Sequence, residues 1–580
     1  MKYLGITQTH HGSSAAVYDG ERLVACNEER VNRVKWSSGF PNQSIDWCLN
    51  ELGLAIQDID AVGFYMTSSN YLSSARSSHT DVWRFYPEAL YTVMSELLQR
   101  ARPEAAPGVR HIRESVHFFD GKALELYFID HHLAHAAASF LLSGFERAAI
   151  LCLDGTGDGC SLSVSRGVGT EIEFLYRQPF PHSLGQFYAT FTQFLGFEPN
   201  ADEYKMMGLA AYGNPEVYAE KVRRLIRLHD DGSFELDMRY FAFHMVTERF
   251  KYNSRFVELF GLPPNQQVED VPQGYCDLAA AVQRVTEDVV LHIATCVKRL
   301  TAEDNLCYGG GVALNCLANG RILQQSGFRD VYIPPNPGDG GLAIGSCAYL
   351  LHTLKGARRA FVYDHDYLGP AYSADEIRTL LRDNGLSYEE PANIAEAVAK
   401  RLAASKVVGR FDGRQEFGPR ALGNRSILAD PRSSATKALL NRKIKYREPF
   451  RPFAPSSTQD RVGELFQMRP QAVKATAPES FMLATVPVRD QWRAQLQAVT
   501  HHDGTARLQT VFAEKNRKYH DVIQAFGRET GVPAVLNTSF NVRGEPMVLS
   551  PQDALRCFYS TGMDTLAIGP YLLDKRPAHA

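Results

Sequence analysis

Short apolar runs separated by polar, glycine-rich turns open the chain, and they predict β-strands. The run KYLGIT (2–7) is one predicted strand, and SAAVYDGERLVACNEE (14–29) is a predicted hairpin with Asp19 and Gly20 at its tip. The run AAILCLDG (148–155) predicts a strand ending at Asp154, followed by glycine turns and a second hairpin. The repeated order predicts two halves built on one plan.

A long helix and two further strands are predicted later in the same region. The apolar positions that predict a helix between 277 and 300 are Leu278, Val282, Val289, Ile293 and Val297. Strands are predicted in LCYGGGVALNC (306–316) and DVYIPPNPGDGG (330–341). The small residues of GLAIGSCAYLLHTL (341–354) predict a helix packed closely on a sheet.

The character of the chain changes between about 355 and 370, where it becomes basic and aromatic and ends in LGP. A helix start is predicted in ADEIRTLLRDNG (374–385). We therefore predict an α/β protein with a first domain at 1–355, a linker at 356–370 and a second α/β domain at 371–580.

Composition narrows the class of protein. The 580 residues exceed one ordinary core, and 44% hydrophobic with 22% charged residues is typical of a soluble globular chain. The net charge of -3 provides no global basic field for nucleic acid. The ten cysteines contain no CxxC pair, and the N-terminus turns polar at Thr7 with no signal region or membrane-length apolar run. We expect a cytoplasmic protein with reduced thiols, no membrane and no nucleic-acid partner.

The segment IDHHLAHAAASFLLSGF (129–145) raises the question of metal binding. His131 and His135 are four residues apart, so a helix would place both imidazoles on one face. Two imidazoles on one face can hold a metal ion. The same spacing also fits a structural helix start, and the pair alone leaves both interpretations open.

Three other segments favour the metal interpretation. Asp154 ends a predicted strand beside glycines, Asp339 lies in NPGDGG, and YGGGVALN (308–315) is a glycine turn. Glycines let a backbone approach an anion, and carboxylates at strand ends can hold a metal beside it. Each feature alone is more often a simple turn. Together, two imidazoles and two carboxylates suit iron, manganese or zinc.

The second domain carries a local basic excess. Between 406 and 451 there are 12 Lys or Arg residues and 4 Asp or Glu residues. A solvated surface would explain most such runs. Here the bases alternate with glycine, proline and phenylalanine, which indicates fixed guanidinium groups suited to a compact anion such as ATP or carbamoyl phosphate.

The order of these motifs resembles the NodU/CmcH family of O-carbamoyltransferases of antibiotic and nodulation-factor biosynthesis, to which the tobramycin carbamoyltransferase belongs. The resemblance covers nearly the whole chain. Its motifs are HHGSSAA (10–16), EERVNRVK (28–35), HHLAH (131–135), DGTGDG (154–159), EYKMMGLAAYG (203–213), GGGVALN (309–315), NPGDGG (336–341), GRQEFGPRALGNRSILADPR (413–432), IKYREPFRPFAPS (444–456) and LNTSFNVRGEP (536–546).

The resemblance implies a duplicated ribonuclease-H-like, actin-like first domain similar to the tRNA threonylcarbamoyl-transfer proteins. It implies a divalent metal, commonly Fe(II) with Mn or Zn as alternatives, whose ligands are His131, His135, Asp154 and Asp339. It places Gly310, Gly311 and Asn315 near an adenosine and Lys205 near the anion. Gly310, Gly311 and Asn315 are thus implied to bind the nucleotide, and Lys205 is implied to be catalytic.

Two further first-domain residues are implied to act on the acceptor. His11 is the candidate that orients or deprotonates the acceptor hydroxyl. Lys35 would face the acceptor pocket. The family motif carries an aspartate after this histidine, but Gly12 stands there in this chain, so an acceptor contact from that position is not expected.

The second domain is implied to be YrdC-like and to make carbamoyladenylate from carbamoyl phosphate and ATP, with Mg²⁺ accompanying the nucleotide. The implied ligands of phosphate or carbamoyl groups are Arg420, Lys445, Arg447, Arg507, Asn537 and Ser539. The carbamoyl group then passes to the hydroxyl of a small-molecule natural product. A homodimer is also compatible with the resemblance.

Two other functions remain as alternatives: a tRNA-modifying carbamoyl or threonylcarbamoyl transferase and a non-catalytic actin-like nucleotide-binding module. The acidic balance argues against the first and the basic second domain against the second. The acceptor wall is expected from 64–114 and 230–270. The aromatic residues of the first of these segments are Tyr65, Tyr71, Trp83, Phe85 and Tyr86. They fit a ring-bearing acceptor, although aromatic residues in a helical segment more often belong to a core.

Overall fold

The computed structural model describes residues 1–9, 12–67, 110–117, 121–245, 249–359, 361–469 and 471–575. The predicted acceptor residue His11 and four of the five predicted acceptor-wall aromatics, Tyr71, Trp83, Phe85 and Tyr86, lie outside these residues. The chain forms two compact units. The first contains Met1–Glu28 and Trp36–Val362, and the second contains Glu29–Lys35 and Tyr363–Ala580.

The first unit is built on two main sheets and a small two-stranded one. Its strands are β1 (Tyr3–Thr7), β2 (Ser14–Tyr18), β3 (Leu23–Asn27), β4 (Ala61–Phe64), β5 (His111–His117), β6 (Ala123–Ile129), β7 (Arg147–Gly157), β8 (Cys160–Val168), β9 (Glu171–Pro179), β10 (Ile226–Leu228), β11 (Phe234–Leu236), β12 (Asn305–Gly309) and β13 (Asp330–Tyr332). The six-stranded sheet has the order β3-β2-β1-β4-β6-β5, and the five-stranded sheet has the order β13-β12-β7-β8-β9.

The two main sheets repeat one topology. In each, a three-stranded antiparallel meander (β1-β2-β3 or β7-β8-β9) is extended by a parallel strand beside its first member. That parallel partner is β4 in one sheet and β12 in the other. The predicted duplication is confirmed, and with it the α/β fold class of a duplicated ribonuclease-H-like part followed by a second α/β part.

Helices cover these sheets. Those up to residue 348 are α1 (Glu28–Asn32), α2 (Asn42–Glu51), α3 (His131–Phe140), α4 (Leu184–Phe194), α5 (Glu203–Leu209), α6 (Ala219–Arg223), α7 (Ser254–Phe260), α8 (Gln273–Thr301), α9 (Cys316–Gln325) and α10 (Leu342–Ala348). The predicted long helix is α8, whose apolar positions are buried. A π-helical turn (Tyr349–Leu354) continues α10. From Glu29 onward, α1 belongs to the second unit.

The second unit contains a seven-stranded mixed sheet of order β19-β16-β20-β15-β14-β21-β22 and a β17-β18 hairpin. Its strands are β14 (Val408–Phe411), β15 (Arg425–Ala429), β16 (Ala454–Thr458), β17 (Thr485–Pro487), β18 (Thr505–Arg507), β19 (Gln509–Val511), β20 (Ala534–Ser539), β21 (Thr565–Ile568) and β22 (Tyr571–Asp574). Its further helices are α11 (Ala374–Asp383), α12 (Ile394–Ala403), α13 (Ser434–Leu440), α14 (Val462–Leu465), α15 (Asp490–Arg493), α16 (Arg517–Thr530) and α17 (Pro551–Tyr559).

Local chemistry explains several of these boundaries. Ser373 and Ser550 form capping boxes with Glu376 and Asp553, so α11 and α17 begin where their first N–H groups find side-chain acceptors. Several predicted strand ends differ. The strands predicted in 306–316 and 330–341 already end at Gly309 and Tyr332, whereas β7 does not end at Asp154 but continues to Gly157. A register shift between Leu153 and Gly157 allows this irregular extension.

The ten cysteines all occupy described, buried positions, and no disulfide joins any two of them. Among the helices at described positions, none combines the length and apolar character needed to cross a bilayer.

Candidate functional site

The predicted histidine helix is α3, and its start is fixed by two aspartates. Asp130 is the N-cap and accepts a hydrogen bond from the Leu133 N–H at 2.9 Å. Asp158 accepts one from the backbone N–H of His131 at 2.8 Å. Arg177 pairs with Asp130 at 2.7 Å. The rest of α3 is buried and rich in alanine, which lets it pack closely. The imidazoles are therefore presented from a rigid helix start.

Four predicted ligands converge at this helix. One ligand atom from each of His131, His135, Asp154 and Asp339 lies within 4.8 Å of the others. Nε2 of His131 is 3.0 Å from Asp154 Oδ2 and 3.6 Å from Asp339 Oδ1. Nε2 of His135 is 3.8 Å and 3.4 Å from the same two oxygens. Thus β7, α3 and the turn after β13 deliver two nitrogens and two carboxylates to one point.

The electrostatics of this cluster couple its members. Burial opposes ionisation of His131, but its hydrogen bond with Asp154 and the charge of Asp339 raise its pKa to about 9. The pKa of His135 is also raised, because the same carboxylates outweigh its burial. Burial would raise the pKa of Asp154, yet the hydrogen bond with His131 and the nearby His135 imidazole, 3.8 Å away, hold it well below its usual value. The carboxylate is therefore ionised, as a metal ligand must be.

The donor set fits a divalent transition metal. Among the described residues, Nε2 of the buried His135 has no hydrogen-bond partner, although it faces Asp339 and Asp154. A buried nitrogen left without a partner carries a desolvation cost that a bound cation would remove. Two imidazole nitrogens and two carboxylate oxygens suit Fe(II), Mn or Zn.

The middle histidine has a different role. His132 is within hydrogen-bonding distance of Ser163 Oγ at 3.0 Å and of the Cys160 carbonyl oxygen at 3.1 Å, so both ring nitrogens have partners. Burial holds its pKa well below the usual value. His132 is therefore a neutral histidine of the core, and it does not belong to the cluster.

Two neighbours of the cluster were missed by sequence reasoning. Tyr65 packs edge-on against His131, with ring centroids 5.7 Å apart. The sequence predicts Tyr65 only as an aromatic residue of the acceptor wall. Asp158, which binds the His131 backbone and accepts from Thr67 Oγ1 at 2.6 Å, is the second aspartate of DGTGDG. The motif contains this aspartate, but the sequence alone does not distinguish a carboxylate that positions a helix from one in a simple turn.

The three residues predicted to lie near the adenosine make different contacts. Gly311 donates its N–H to Asp154 Oδ1 at 3.0 Å and so contacts the cluster directly. Gly310 has φ of 91°, and a Cβ there would lie 2.1 Å from the Leu153 carbonyl oxygen, so the turn requires glycine. Asn315 caps α9 through the Ala318 N–H and pairs with Gln283 at 3.0 and 3.2 Å.

Lys205 lies in α5, and its ammonium is 2.7 Å from Asp202 Oδ2. Sequence reasoning did not single out a second lysine of this unit, Lys251, which donates to Gln186 Oε1 at 2.8 Å. Gln186 lies beside Gly155, next in sequence to Asp154. The sequence around Lys251 does not predict this contact, because only tertiary packing brings Lys251 to Gln186.

In the second unit the structure brings Lys445 and Ser539 together. The Lys445 ammonium donates to the Ser539 carbonyl oxygen at 2.5 Å and lies 3.2 Å from its Oγ. It also donates to the carbonyl oxygen and Oδ1 of Asn541, at 3.0 and 2.8 Å. Burial lowers the pKa of Lys445 well below its usual value, and the neighbouring Arg447 charge adds to this. We call Lys445, Ser539 and Asn541 the lysine cluster.

The other predicted ligands in this unit are Arg447, Asn537, Arg507 and Arg420. Arg447 follows Lys445 by two residues, donates to Asn441 Oδ1 at 2.8 Å and stacks over Phe453. Asn537 shares a strand face with Ser539 but donates to Gln509 Oε1 at 2.9 Å within the core. Arg507 ends β18, and Arg420 follows the buried Phe417 turn.

Two family models together match most of this chain. The model described as "Carbamoyltransferase N-terminus" matches residues 2–348, and "Carbamoyltransferase C-terminus" matches residues 399–575. The chain belongs to the carbamoyltransferase family. It is similar to an uncharacterised protein of Synechocystis sp., with 38% identity covering 99% of this chain and 96% of that protein.

Two nodulation proteins are similar to this family member as well. Nodulation protein NolNO of Sinorhizobium fredii is 35% identical over 99% of this chain and 80% of its own length. Nodulation protein U of the same species is 28% identical over 94% of each chain. The expected resemblance to the NodU/CmcH family is confirmed.

Likenesses to solved structures are remote. Component A of (R)-2-hydroxyglutaryl-CoA dehydratase from Acidaminococcus fermentans gives a TM-score of 0.31 at 13% identity, over 60% of this chain and 97% of that one. HypF of T. kodakarensis gives 0.29 at 14% identity, over 61% and 48%. At these scores the likenesses support no argument about function.

Proposed function

We propose that this family member is an O-carbamoyltransferase that makes carbamoyladenylate from carbamoyl phosphate and ATP and transfers its carbamoyl group to the hydroxyl of a small-molecule natural product. The observation that carries the proposal is the four-ligand cluster of His131, His135, Asp154 and Asp339, in a chain whose second unit holds a buried lysine cluster. Family membership supplies the carbamoyl chemistry.

The second unit would carry out the activation step. Lys445 and Arg447 would hold phosphate oxygens, since fixed cations neutralise the charge that polyphosphates bring together. Ser539 would contribute its hydroxyl beside the ammonium. Phosphorus balance requires that ATP and carbamoyl phosphate yield carbamoyladenylate, pyrophosphate and one inorganic phosphate, with water consumed. Both released anions can be measured.

The first unit would carry out the transfer step. A divalent metal bound by His131, His135, Asp154 and Asp339 would supply Lewis-acid stabilisation to the phosphate of the adenylate. Gly311 would keep Asp154 oriented through its N–H, and Asp158 would keep α3 in place. His11 would accept the proton of the acceptor hydroxyl as that oxygen attacks the carbamoyl carbon, and AMP would leave.

The experiment follows pyrophosphate release from ATP by the full-length protein, with and without carbamoyl phosphate, in the absence of acceptor. We expect release that depends on carbamoyl phosphate and persists in the His131→Ala variant, because activation and transfer use different units. The same variant should lose transfer to an acceptor. Release that ignores carbamoyl phosphate, or no release with any of Mg²⁺, Mn²⁺ or Fe(II), would contradict the proposal. A requirement for added tRNA would favour the tRNA-modifying alternative.

A further inference from the structure

The turn that carries the predicted ligand Asp339 is held by a hydroxyl group from the first hairpin. Ser14, a fully buried residue of β2, donates from its Oγ to the carbonyl oxygen of Gly340 at 2.8 Å. These two residues are 326 positions apart in the sequence. A Cβ atom at Gly12 would lie 3.5 Å from the Gly340 Cα, so the backbone just before β2 also touches this turn. The hairpin is therefore in direct contact with the turn of a candidate metal ligand.

Thr7 orients the Ser14 hydroxyl. The two residues face each other across β1 and β2, and their Oγ atoms are 2.7 Å apart. A hydroxyl group has one proton, and the proton of Ser14 goes to the Gly340 carbonyl, so Thr7 donates to Ser14. The other acceptor within reach of Thr7, the Gly12 carbonyl oxygen, is 3.4 Å away and so forms a weaker bond. Two buried hydroxyls thus form a directed chain that ends at the Asp339 turn.

The opposite side of the same turn is held by the glycine turn after β12. The backbone N–H of Gly310 donates to the Pro337 carbonyl oxygen at 2.9 Å. Pro337 lies two residues before Asp339, and Gly340 lies one residue after it. Asp339 is therefore bracketed by two hydrogen bonds that come from different parts of the unit.

Asp339 depends on its turn more than Asp154 depends on its strand. The Asp154 side chain is 9% exposed and accepts a hydrogen bond from the Gly311 N–H at 3.0 Å. The Asp339 side chain is 25% exposed, and its shortest distance to an imidazole nitrogen is 3.4 Å, to His135. Contacts behind a metal ligand fix its orientation and tune the affinity of the site. For Asp339 those contacts are made to the backbone of the turn.

We propose that Ser14 is a positioning residue of the metal centre. Its hydroxyl, oriented by Thr7, keeps the Asp339 carboxylate beside the two imidazoles and so sets the affinity for a divalent transition metal. The assignment rests on the proposed function, because it concerns the metal of the transfer step. It also gives the serine of the HHGSSAA motif a role at the metal centre instead of at the acceptor.

The test is an anaerobic titration of the full-length protein with Co(II), followed by visible absorption, which reports the ligands and their geometry. We expect Ser14→Ala to weaken Co(II) binding by about 10- to 100-fold, as is typical for the loss of a contact behind a metal ligand. Ser13→Ala is the matched control, because this adjacent serine is equally buried and its hydroxyl donates to the Thr9 carbonyl oxygen instead. It should bind Co(II) as the wild type does.

Thr7→Val is a second variant that keeps the shape of the side chain and removes only the donor to Ser14. It should weaken Co(II) binding by about two- to tenfold, the worth of one neutral hydrogen bond. Thr7→Ser keeps the hydroxyl and should restore most of the affinity. Thermal melts of all variants accompany the titrations, and Thr7→Val decides the question if Ser14→Ala does not fold.

A double-mutant cycle separates positioning from a general structural role. Since Ser14 acts through Asp339, Ser14→Ala should have no further effect on Co(II) affinity in an Asp339→Ala background. The Co(II) spectrum of Ser14→Ala should also shift toward that of Asp339→Ala. A serine that only stabilises the fold would cost the same affinity in both backgrounds, and that result would overturn the positioning role.

The outcomes also distinguish this inference from the proposed function. Equal Co(II) affinity in wild type, Ser14→Ala and Thr7→Val would overturn only the assignment of Ser14. A wild-type protein that binds neither Co(II) nor Fe(II) stoichiometrically would overturn the metal-dependent transfer step and this inference with it. Pyrophosphate release that depends on carbamoyl phosphate should be intact in Ser14→Ala, because the activation step uses the second unit.

Discussion

Gly157 lies directly against His131, and a Cβ atom at Gly157 would stand 2.0 Å from Cδ2 of the imidazole. The two residues belong to different elements, β7 and α3. Real Cβ atoms do not approach a ring carbon so closely, so either the ring or the backbone would have to move. The absence of a side chain at position 157 is therefore a condition for the position of one candidate metal ligand.

We expect Gly157→Ala to displace His131 and to abolish stoichiometric metal binding. Overpacking of this kind costs about 1–3 kcal/mol of folding free energy. The measurement is metal content by mass spectrometry after anaerobic loading with Fe(II), with a thermal melt beside it. Gly39→Ala is the control in the same unit, because nothing lies within 4 Å of a Cβ there. Full metal content in Gly157→Ala would show that the ring is not a ligand.

Mutation should distinguish the metal ligand His135 from the core residue His132. His135→Ala should lose the metal while remaining folded, because its Nε2 has no hydrogen-bond partner among the described residues. His132→Ala should keep the metal but lose stability by about 2–4 kcal/mol, because Ser163 and the Cys160 carbonyl lose their partner in the core. Metal content and thermal melts of both variants check this. Metal loss in His132→Ala with an unchanged melt would reverse the assignment.

Anion binding at the lysine cluster should be coupled to proton uptake. Burial lowers the pKa of Lys445 in the protein without an anion, and a bound phosphate would raise it again by favouring the ammonium. Protons are therefore taken up on binding, and affinity should fall as pH rises through the pKa of the anion-free state. Calorimetric titration of pyrophosphate in buffers of different ionisation enthalpy measures the uptake.

Lys445→Met should abolish that proton uptake, while Lys518→Gln should leave it intact, because Lys518 pairs with Asp412 at the surface. The methionine also leaves the oxygens of Ser539 and Asn541 without their buried donor, so a lower melting temperature is expected. Identical enthalpies in all buffers for the wild type would contradict the coupling.

Stability of the second unit should carry a pH dependence from Asp366. Burial raises its pKa from 3.8 to about 7, despite hydrogen bonds from the Tyr363 hydroxyl and the Gly418 N–H. Between those values the folded state holds a proton that the unfolded state has released. The contribution of Asp366 to stability is therefore present below about pH 4 and lost as pH rises to about 7, by at most about 1.4 kcal/mol per pH unit.

The Asp366→Asn variant has no carboxyl group at this position to titrate. Its melting temperature, relative to that of the wild type, should therefore increase as pH rises from 4.5 to 7.5. The measurement is a series of thermal melts of both proteins in buffers of matched ionic strength. Asp412→Asn serves as a comparison because Asp412 is the partner of Arg410 and Lys518 in the same unit. A difference that does not change with pH would show that Asp366 is ionised throughout.

Much of the architecture follows from local pattern. The sequence predicts the hairpin tip at Asp19 and Gly20, the strand before Asp154 and the apolar stripe from Leu278 to Val297. It can do so because strand alternation and helical period are properties of neighbouring residues. The spacing of His131 and His135 likewise determines that both imidazoles share a helix face. The repeated strand order in the sequence predicts a duplicated fold.

The remaining features depend on residues far apart in the chain. Spacing could not show that Asp154 and Asp339 meet the histidines at one point, that His132 turns to Ser163, or that Lys205 pairs with Asp202. Nor could it show that Glu29–Lys35, near the N-terminus, packs with residues after 363. Sequence alone determined which side chains carry chemistry and which face each occupies. Tertiary structure decided which of them meet, because contacts between distant segments depend on the packing of whole sheets and helices.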